Sequence, residues 1–235
     1  SILSQRLPKI NGMPEETLQP LDKPTLTRPG LLVMDVDSTL IDEEVIDLLG
    51  EAAGVGDRVA RITARAMAGE LDFAEALRAR VALLQGLPAS VFARTRAAVH
   101  FTTGALELID ALHGHGWTVG VVSGGFHEVV DDLVADAGID HALANRLEVV
   151  DGVLTGRIVG PIVTRDLKQQ SLVTWAQADG VPMSQTVALG DGANDIPMIL
   201  EAGLGVAFCA KPAVRAAAPH AIDERDLTRV LELLR

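Results

Sequence analysis

The chain has 235 residues, 48% of them apolar, and a formal net charge of −12 at pH 7. Its length fits one large domain or a core with a smaller second unit, because domains contain roughly 150 residues. The acidic balance argues against nucleic-acid binding as the main activity, since phosphate backbones need a basic partner surface. The single cysteine, Cys209, excludes an intramolecular disulfide framework, and its apolar neighbours predict a small buried core residue. There is no signal peptide and no apolar run of the ~20 residues that a membrane span needs, so we expect a cytoplasmic protein without nucleic-acid or membrane partners.

The first polar site follows a short apolar run. Leu31–Met34 predicts a strand that is buried on both faces of a parallel sheet. Asp35 and Asp37 follow at its carboxyl end, where open α/β sheets bind their ligands. Two carboxylates this close repel each other, and both stay ionised only beside a cation. The pair predicts an aspartate nucleophile with a neighbouring acid/base at a magnesium site, although a polar turn after a core strand has the same pattern.

Residues 41–98 have a helical period with no strand signal. Phe73, Leu77, Arg80 and Leu84 have the spacing of one helix face. On that face Arg80 either extends to solvent or faces a cavity that holds an anion. Glu44 flanks another apolar stripe, where a solvated carboxylate is the simplest interpretation. Because these helices directly follow the first strand, they predict a cap over the site.

A second polar site follows a valine-rich strand over residues 117–122. Ser123, Gly124 and Gly125 end this strand, and a helix is predicted directly after them, over residues 126–137. Small residues at a helix N-terminus let backbone N–H groups approach an anion closely. A short third strand over 142–145 and an Asp-Gly turn between apolar pairs at 149–154 then predict a β-hairpin.

Two more polar sites lie in the C-terminal half of the chain. Lys168 falls in the first turn of a helix that ends near residue 178. The helix dipole opposes a cation there by ~0.3–1 kcal/mol, so Lys168 is either tolerated on the surface or held by a negative charge. A last core strand over 203–208 and an amphipathic helix over 227–234 close the chain. Before them, a buried strand over 186–189 leads into Gly190-Asp191-Gly192-Ala193-Asn194-Asp195.

The fold class predicted from these elements is α/β, with a doubly wound, Rossmann-like parallel sheet. We expect a proline-rich lead-in (1–30), a core (31–42 and 99–235), a helical cap (43–98) and a small β-hairpin insertion within the core (145–162). The carboxyl ends of the strands converge at one edge, where they collect a nucleophile, an acid, a hydroxyl, a cation and metal-binding carboxylates. These are the groups that phosphoryl transfer needs.

The motifs resemble those of a known superfamily. Asp35-Val36-Asp37-Ser38-Thr39, Ser123-Gly124-Gly125, a helix-borne Lys168 and Gly190-Asp191-Gly192-Ala193-Asn194-Asp195 are similar to the haloacid dehalogenase superfamily of phosphatases. The similarity runs from about residue 29 to the C-terminus. Within the superfamily, the cap residues Glu44, Met67, Phe73 and Arg80 resemble those of the phosphoserine phosphatase family. Thr103 departs from the family pattern, which usually has proline at this position. The difference affects the start of a helix and not the residues expected to carry out the chemistry.

This resemblance implies Mg²⁺-dependent hydrolysis of a small-molecule substrate, O-phospho-L-serine, in the last step of serine biosynthesis. Asp35 would form an aspartyl-phosphate, and Asp37 would be the general acid/base. The phosphoryl oxygens would be held by Ser123, the backbone of Gly124 and Lys168. The implied metal ligands are Asp35, the main-chain carbonyl of Asp37 and Asp191, supported by Asn194 and Asp195. The implied substrate contacts are Glu44 with the amine, Arg80 with the carboxylate, and Met67, Phe73, Gly125 and Asn194 around them.

Two alternatives stay open on the residues alone. One is a phosphatase or phosphotransferase of the same superfamily for another small phosphomonoester, although Glu44 and Arg80 would then lack partners. The other is a receiver-type signalling module with a persistent phosphoaspartate, against which Asp37 and the cap argue. A calcium loop is excluded, because Leu40 and Ile46 occupy its glycine and glutamate positions. The oligomeric state, monomer or homodimer, is left open.

Overall fold

The computed structural model describes residues 23–235, and their strands form one seven-stranded sheet in the order β4-β3-β2-β1-β5-β6-β7. All neighbouring strands are parallel except β3 and β4, which are antiparallel. The strands are β1 (Leu31–Met34), β2 (Thr118–Phe126), β3 (His141–Val150), β4 (Val153–Val159), β5 (Thr186–Gly190), β6 (Leu204–Phe208) and β7 (His220–Ile222). The predicted α/β class with a mostly parallel sheet is confirmed.

The α-helices cover both faces of this sheet. Four of them follow β1 in the chain: α1 (Val45–Ala52), α2 (Gly56–Met67), α3 (Phe73–Ala82) and α4 (Val91–Ala98). The others are α5 (Ala105–Gly114), α6 (His127–Ala137), α7 (Arg165–Ala178), α8 (Ile196–Glu201) and α9 (Pro212–Ala217). Within residues 23–235, no helix is both long enough and apolar enough to cross a membrane.

The side chains of β1 alternate between the two faces of the sheet, as the strand period requires. Leu32 and Met34 belong to the larger hydrophobic cluster, which includes residues of α1, α5 and α6. Leu31 and Val33 pack on the opposite face with residues of α7 and α8. All four side chains are fully buried, so β1 is the doubly covered strand that its apolar run predicts.

The hairpin continues the main sheet. Strand β3 pairs with β2 through its first half and with β4 through its second half, so it is longer than the predicted strand over 142–145. Asp151 and Gly152 form the turn, with φ of 50° and 74°. Positive φ at both central residues is the geometry of the two-residue turns that Asp-Gly favours in hairpins.

The C-terminal region departs from the prediction in three respects. A seventh strand, β7, adds an edge that the sequence pattern did not reveal. The predicted C-terminal helix is present at Leu227–Leu234, but it has 3₁₀ geometry. Cys209 is only partly buried at the end of β6, with φ of 43°, so its prediction as a core residue is wrong.

The predicted lead-in falls mainly on residues 1–22, which lie outside the described residues. Residues 23–30 lead into β1 and are joined by hydrogen bonds to the C-terminal 3₁₀ helix and to the turn before β5. The Leu26 N–H donates to the Leu234 carbonyl at 3.0 Å. The buried side-chain amide of Gln185 donates to the carbonyls of Thr25, Arg28 and Pro29 at 3.1, 3.0 and 3.2 Å.

Candidate active site

Asp35 lies at the carboxyl end of β1, where its N–H donates to the Leu189 carbonyl of β5 at 3.1 Å. Its Oδ1 accepts hydrogen bonds from the Val36 N–H at 2.8 Å and from Lys168 Nζ at 3.1 Å. Within residues 23–235 no donor binds Oδ2. Burial raises the pKa of this carboxyl well above its usual range, nearby Asp195 raises it further, and Lys168 lowers it. Asp35 therefore has one oxygen held in place and one oxygen open to react.

Asp37 lies in a widened turn, Val36–Leu40, which we call the 36–40 turn. The N–H groups of Leu40 and Ile41 bond to carbonyls five residues earlier in the chain, at 3.3 and 3.1 Å. The Asp37 Oδ1 accepts a 3.4 Å hydrogen bond from the Val45 N–H. Burial raises the pKa of the Asp37 carboxyl, and the neighbouring carboxylate of Glu44 adds to this rise. A carboxyl with a raised pKa is suited to donate a proton.

Lys168 is a fully buried cation between two carboxylates. The Thr164 side chain caps its helix, α7, by accepting from the Leu167 N–H at 3.3 Å. From the first turn of α7, Lys168 Nζ donates to Asp35 Oδ1 at 3.1 Å and to Asp195 Oδ1 at 2.7 Å. Burial alone would lower the pKa of Lys168, but Asp195 and Asp35 outweigh it and raise the pKa above its ordinary value. The lysine is thus held by negative charge and stays protonated.

Asp35, Asp191 and Asp195 form a buried acidic triad in which one oxygen atom of each carboxylate lies within 4.8 Å of those of the other two. The second oxygen of Asp195 accepts from the N–H groups of Asp191 and Gly192 at 3.2 and 3.1 Å. Asp191 accepts from the Thr39 hydroxyl at 3.3 Å. A buried all-oxygen cluster of this kind fits a hard cation. Two of the predicted metal ligands, Asp35 and Asp191, belong to this triad together with Asp195. The side chain of Asp37 does not belong to it.

The end of β2 approaches these carboxylates closely. Ser123 is fully buried, and its Oγ accepts from the Gly125 N–H at 2.8 Å. A Cβ on Gly125 would lie 3.0 Å from that Oγ and 3.5 Å from Asp37 Oδ2, so Gly125 lies close to both side chains. The Gly124 carbonyl accepts a 2.9 Å hydrogen bond from the buried side chain of Asn145. Helix α6 begins at His127, directly after β2, so its positive N-terminal end lies at the end of this strand.

Three of the four predicted cap residues lie beside this edge. The Phe73 ring packs on Gly124, since a Cβ there would be 2.9 Å from its Cζ atom. Glu44 accepts a 2.6 Å hydrogen bond from the Ser38 hydroxyl. Arg80 donates to the Ala76 carbonyl and the Thr63 hydroxyl, both at 3.2 Å. Burial lowers the pKa of Arg80, while the nearby carboxylates of Asp47, Glu44 and Asp37 act in the opposite direction.

Met67 is the last residue of α2 and is 72% exposed, so it is not packed against the carboxylates of the site. Asn194 is partly buried in the loop after β5, where its Oδ1 would be 2.8 Å from a Cβ on Gly192.

The sequence patterns missed two residues that contact the site. Lys211 Nζ donates to Asp191 Oδ2 at 3.2 Å, and its N–H donates to the Asp191 carbonyl at 3.1 Å. Its position just after a core strand was an available signal, because such positions converge on the ligand edge. The other residue is Asn145, which holds Gly124 and also accepts from the Val163 N–H at 2.8 Å. A lone asparagine inside a strand gives no comparable signal.

Known proteins are similar to this chain in sequence and structure. Residues 32–200 match the model of the haloacid dehalogenase-like hydrolase family. A phosphoserine phosphatase of Streptococcus thermophilus is 62% identical over 205 residues, which cover 87% of this chain and 95% of the relative. A phosphoserine phosphatase of Lactococcus lactis is 57% identical, with the same coverage of both chains.

Solved structures agree with the sequence matches. A phospho-aspartyl intermediate analogue of phosphoserine phosphatase is 42% identical, with a TM-score of 0.83, and the match covers 88% of this chain and 100% of the other. A substrate-bound phosphoserine phosphatase complex is 41% identical, with a TM-score of 0.84 and coverage of 88% and 99%. The family match spans each polar site from Asp35 to Asp195. The chain therefore belongs to the haloacid dehalogenase-like hydrolase family.

Proposed function

We propose that this chain hydrolyses O-phospho-L-serine to L-serine and phosphate through an aspartyl-phosphate on Asp35. The proposal rests mainly on the hydrogen bonding of Asp35. The buried Lys168 holds one of its carboxylate oxygens, and the other oxygen has no donor among the described residues. The relatives named phosphoserine phosphatase support the substrate, as do Glu44 and Arg80 beside the site.

In the first half of the reaction, Asp35 Oδ2 attacks phosphorus and the bond from phosphorus to the serine oxygen breaks. Asp37 gives its proton to that oxygen, which leaves as the hydroxyl of serine. Lys168, Ser123 and the backbone of Gly124 stabilise the charge on the phosphoryl oxygens. In the second half, Asp37 takes a proton from water, water attacks phosphorus, and phosphate leaves as Asp35 is regenerated.

Magnesium is the proposed metal, because the donor set consists of carboxylate and carbonyl oxygens. Asp35, Asp191 and the main-chain carbonyl of Asp37 would hold it, with Asp195 and Asn194 in support. When bound, the ion supplies positive charge that stabilises the transferring phosphoryl group. Asp195 is suited to support because both of its oxygens already accept hydrogen bonds from Lys168 and from backbone N–H groups.

The two ends of a zwitterionic substrate each have a proposed partner. Glu44 would bind the ammonium group and Arg80 the carboxylate, with Phe73, Met67, Gly125 and Asn194 around the substrate. In this proposal residues 43–98 act as a cap on the core formed by 31–42 and 99–235, which includes the hairpin insertion 145–162. Residues 1–30 would be a proline-rich lead-in to the core.

The test is phosphate release from a panel of phosphomonoesters, with magnesium and with EDTA. We expect a magnesium-dependent kcat/KM for O-phosphoserine well above those for phosphothreonine, phosphoethanolamine and sugar phosphates. A flat profile would overturn the substrate and leave a phosphatase for other small esters. No release, together with a stable phosphoaspartate, would favour the receiver-type signalling module.

A further inference from the structure

Arg225 makes an unusual number of contacts for a residue in a surface loop. It lies between β7 and the C-terminal 3₁₀ helix, and its side chain is 34% exposed. Its Nε donates to Asp42 Oδ1 at 2.7 Å, and its Nη1 donates to the Ser38 carbonyl at 3.2 Å. Its Nη2 donates to the Ile41 carbonyl at 3.0 Å and to the Thr102 hydroxyl at 3.1 Å. The other side of the guanidinium lies over the Phe208 ring, 5.7 Å from its centre.

These acceptors share one location, the point where the chain leaves the core and returns to it. Ser38 lies inside the 36–40 turn and Ile41 directly follows it. Asp42 and Thr102 lie on the outgoing and returning segments of the helical region. The two segments are joined by backbone hydrogen bonds from Asp42 to His100 at 3.0 Å and from Thr102 to Leu40 at 2.8 Å. Arg225 therefore holds the turn that carries Asp37 and both connections to the proposed cap.

The 36–40 turn needs such support. Ser38 has φ of 57° and Asp37 has an extended ψ of 132°, so the turn is not regular helix. A non-glycine residue in the left-handed region costs about 1 kcal/mol or more and persists only where its surroundings fix it. A guanidinium has five donors in one plane and can hold two carbonyls, a hydroxyl and a carboxylate together, whereas an ammonium cannot reproduce that pattern.

We propose that Arg225 is a positioning residue for the acid/base step. By fixing the carbonyls of Ser38 and Ile41, it keeps Asp37 oriented toward the oxygen of the leaving group. This inference rests on the proposed function, because it requires Asp37 to protonate that oxygen. The ion pair with Asp42 alone would not explain the arrangement, since a partly exposed pair contributes little.

The test uses phosphate esters that lack both amine and carboxylate and differ in the basicity of the leaving group, from p-nitrophenyl phosphate to an alkyl phosphate. A basic leaving group depends most on protonation, so loss of a well-oriented acid changes the slope of kcat/KM against leaving-group pKa. Such a change in slope would not result from a loss of stability alone. Wild type, Arg225→Ala, Arg225→Lys and Asp37→Asn are compared, each with its thermal midpoint.

We expect Arg225→Ala to lower kcat/KM for the alkyl ester at least tenfold more than for p-nitrophenyl phosphate, in the same direction as Asp37→Asn. Arg225→Lys keeps a cation that can pair with Asp42, so its thermal midpoint should be near that of the wild type. Its kcat/KM should still fall at least tenfold more for the alkyl ester than for p-nitrophenyl phosphate. It is also the decisive variant if Arg225→Ala does not fold. The matched control is Arg229→Ala, which removes an exposed arginine that pairs with Glu224 and Glu232 and should leave the slope unchanged.

A uniform loss across the esters in both Arg225 variants would overturn the proposal and make Arg225 a purely structural residue. Inactivity of the wild type toward all these esters and toward O-phosphoserine would instead overturn the proposed function, and the Arg225 proposal with it. Selective loss in Asp37→Asn without selective loss in either Arg225 variant would overturn only the Arg225 proposal.

Discussion

At the scale of single residues, the site is a set of buried charges that compensate one another. Asp35, Asp191 and Asp195 are buried carboxylates, and Lys168 and Lys211 donate to them. Three carboxylates against two ammonium groups leave one negative charge, which favours the binding of a divalent cation. A buried charge without partners would cost several kcal/mol, so this pairing is what lets the carboxylates stay together at the sheet edge.

Arg80→Ala tests the binding of the substrate carboxylate. Removing one partner of a desolvated charge pair costs about 2–5 kcal/mol, and the partial exposure of Arg80 favours the lower end. We expect kcat/KM for phosphoserine to fall roughly a hundredfold. The value for p-nitrophenyl phosphate, which has no carboxylate, should change much less.

The control for this change is Arg78→Ala, an exposed arginine on the same helix. It should leave both substrates near their wild-type values. Equal losses for the two substrates in Arg80→Ala would show that Arg80 serves only to join α3 to Thr63 of α2.

Glu44 predicts a pH dependence of substrate choice. Burial raises the pKa of its carboxyl, and the hydrogen bond from Ser38 opposes this rise. As the pH falls through the raised pKa, Glu44 becomes neutral and loses its attraction for an ammonium group. The ratio of kcat/KM for phosphoserine to that for p-nitrophenyl phosphate should therefore decrease toward acid pH, by about tenfold.

Glu44→Gln should have a low ratio that does not vary with pH. The ratio is the useful quantity, because Asp37 acts on both esters, and the Glu44→Gln profile corrects for the different titration of the two phosphate groups. Parallel pH profiles of the ratio in wild type and Glu44→Gln would contradict a role of Glu44 in amine binding.

Local motifs explain which site residues the sequence could predict. Asp35 directly follows the end of a strand, and Lys168 lies just after the start of a helix. The two residues meet because strand ends and helix starts converge at the same edge of the sheet. Lys211 follows the end of a core strand, which is a signal of the same kind. The contact of Arg225 is set by tertiary structure: Arg225 reaches Asp42, 183 residues earlier, and no local pattern in the sequence encodes that contact. The wall position assigned to Met67 stays a prediction.

At the scale of elements, close packing between strands and helices fixes the site loops. Strand β5 delivers Asp191, and its neighbour β6 supports helix α8, which follows the acidic loop. Gly205 in β6 lies directly against this helix, since a Cβ there would overlap the carbonyl oxygen of Ile199. The loop between β5 and α8 therefore depends on a contact that only glycine allows.

Gly205→Ala should destabilise the protein by roughly 3 kcal/mol or more, because the overlapping atom belongs to the backbone and cannot rotate away. A domain of this size loses roughly 2–4 °C of thermal midpoint per kcal/mol, which corresponds to ~6 °C or more. Thermal unfolding followed by circular dichroism measures the change.

Gly114→Ala is the matched control, because Gly114 ends α5 with open space around it. It should be neutral or slightly stabilising, since alanine favours helix by up to ~1 kcal/mol over glycine. An unchanged midpoint in Gly205→Ala would show that α8 can move away from β6 without cost.

The sequence predicts the strands and helices that have a strong hydrophobic period, but not the residues at which they end. The Asp-Gly turn encodes the hairpin locally, because both residues adopt positive φ. Strand β2 continues through Ser123 to Phe126, past the predicted end at 122, because the glycines pair irregularly beside β3. Strand β7 has three residues, too few for a pattern of alternation to appear.

At the scale of the whole molecule, the helical region is fastened to the core at a second place besides the segments that Arg225 holds. Leu154 of the hairpin exchanges backbone hydrogen bonds with Gly86 and Leu87, at 2.9 and 2.8 Å. The Ala89 N–H donates to the Gly152 carbonyl at 2.8 Å. The hairpin thus supports the connection between α3 and α4, a long-range contact that separate patterns in the sequence could not reveal.

The sheet topology leads to one chemical claim. Strands β2, β1 and β5 are neighbours, and they bring Ser123, Asp35 and Asp191 to one edge, where Lys168 enters from α7. Asp35 directly follows β1, and its side chain pairs with Lys168. The central claim is that this carboxylate accepts the phosphoryl group.

The most direct measurement is mass spectrometry of the protein quenched in acid during turnover of phosphoserine with magnesium. We predict one added phosphoryl group, located on Asp35 by peptide fragmentation. In Asp35→Asn it should be absent, and turnover should fall by at least ~10³-fold. Turnover by Asp35→Asn near the wild-type rate, or a phosphoryl group on another residue, would contradict the account.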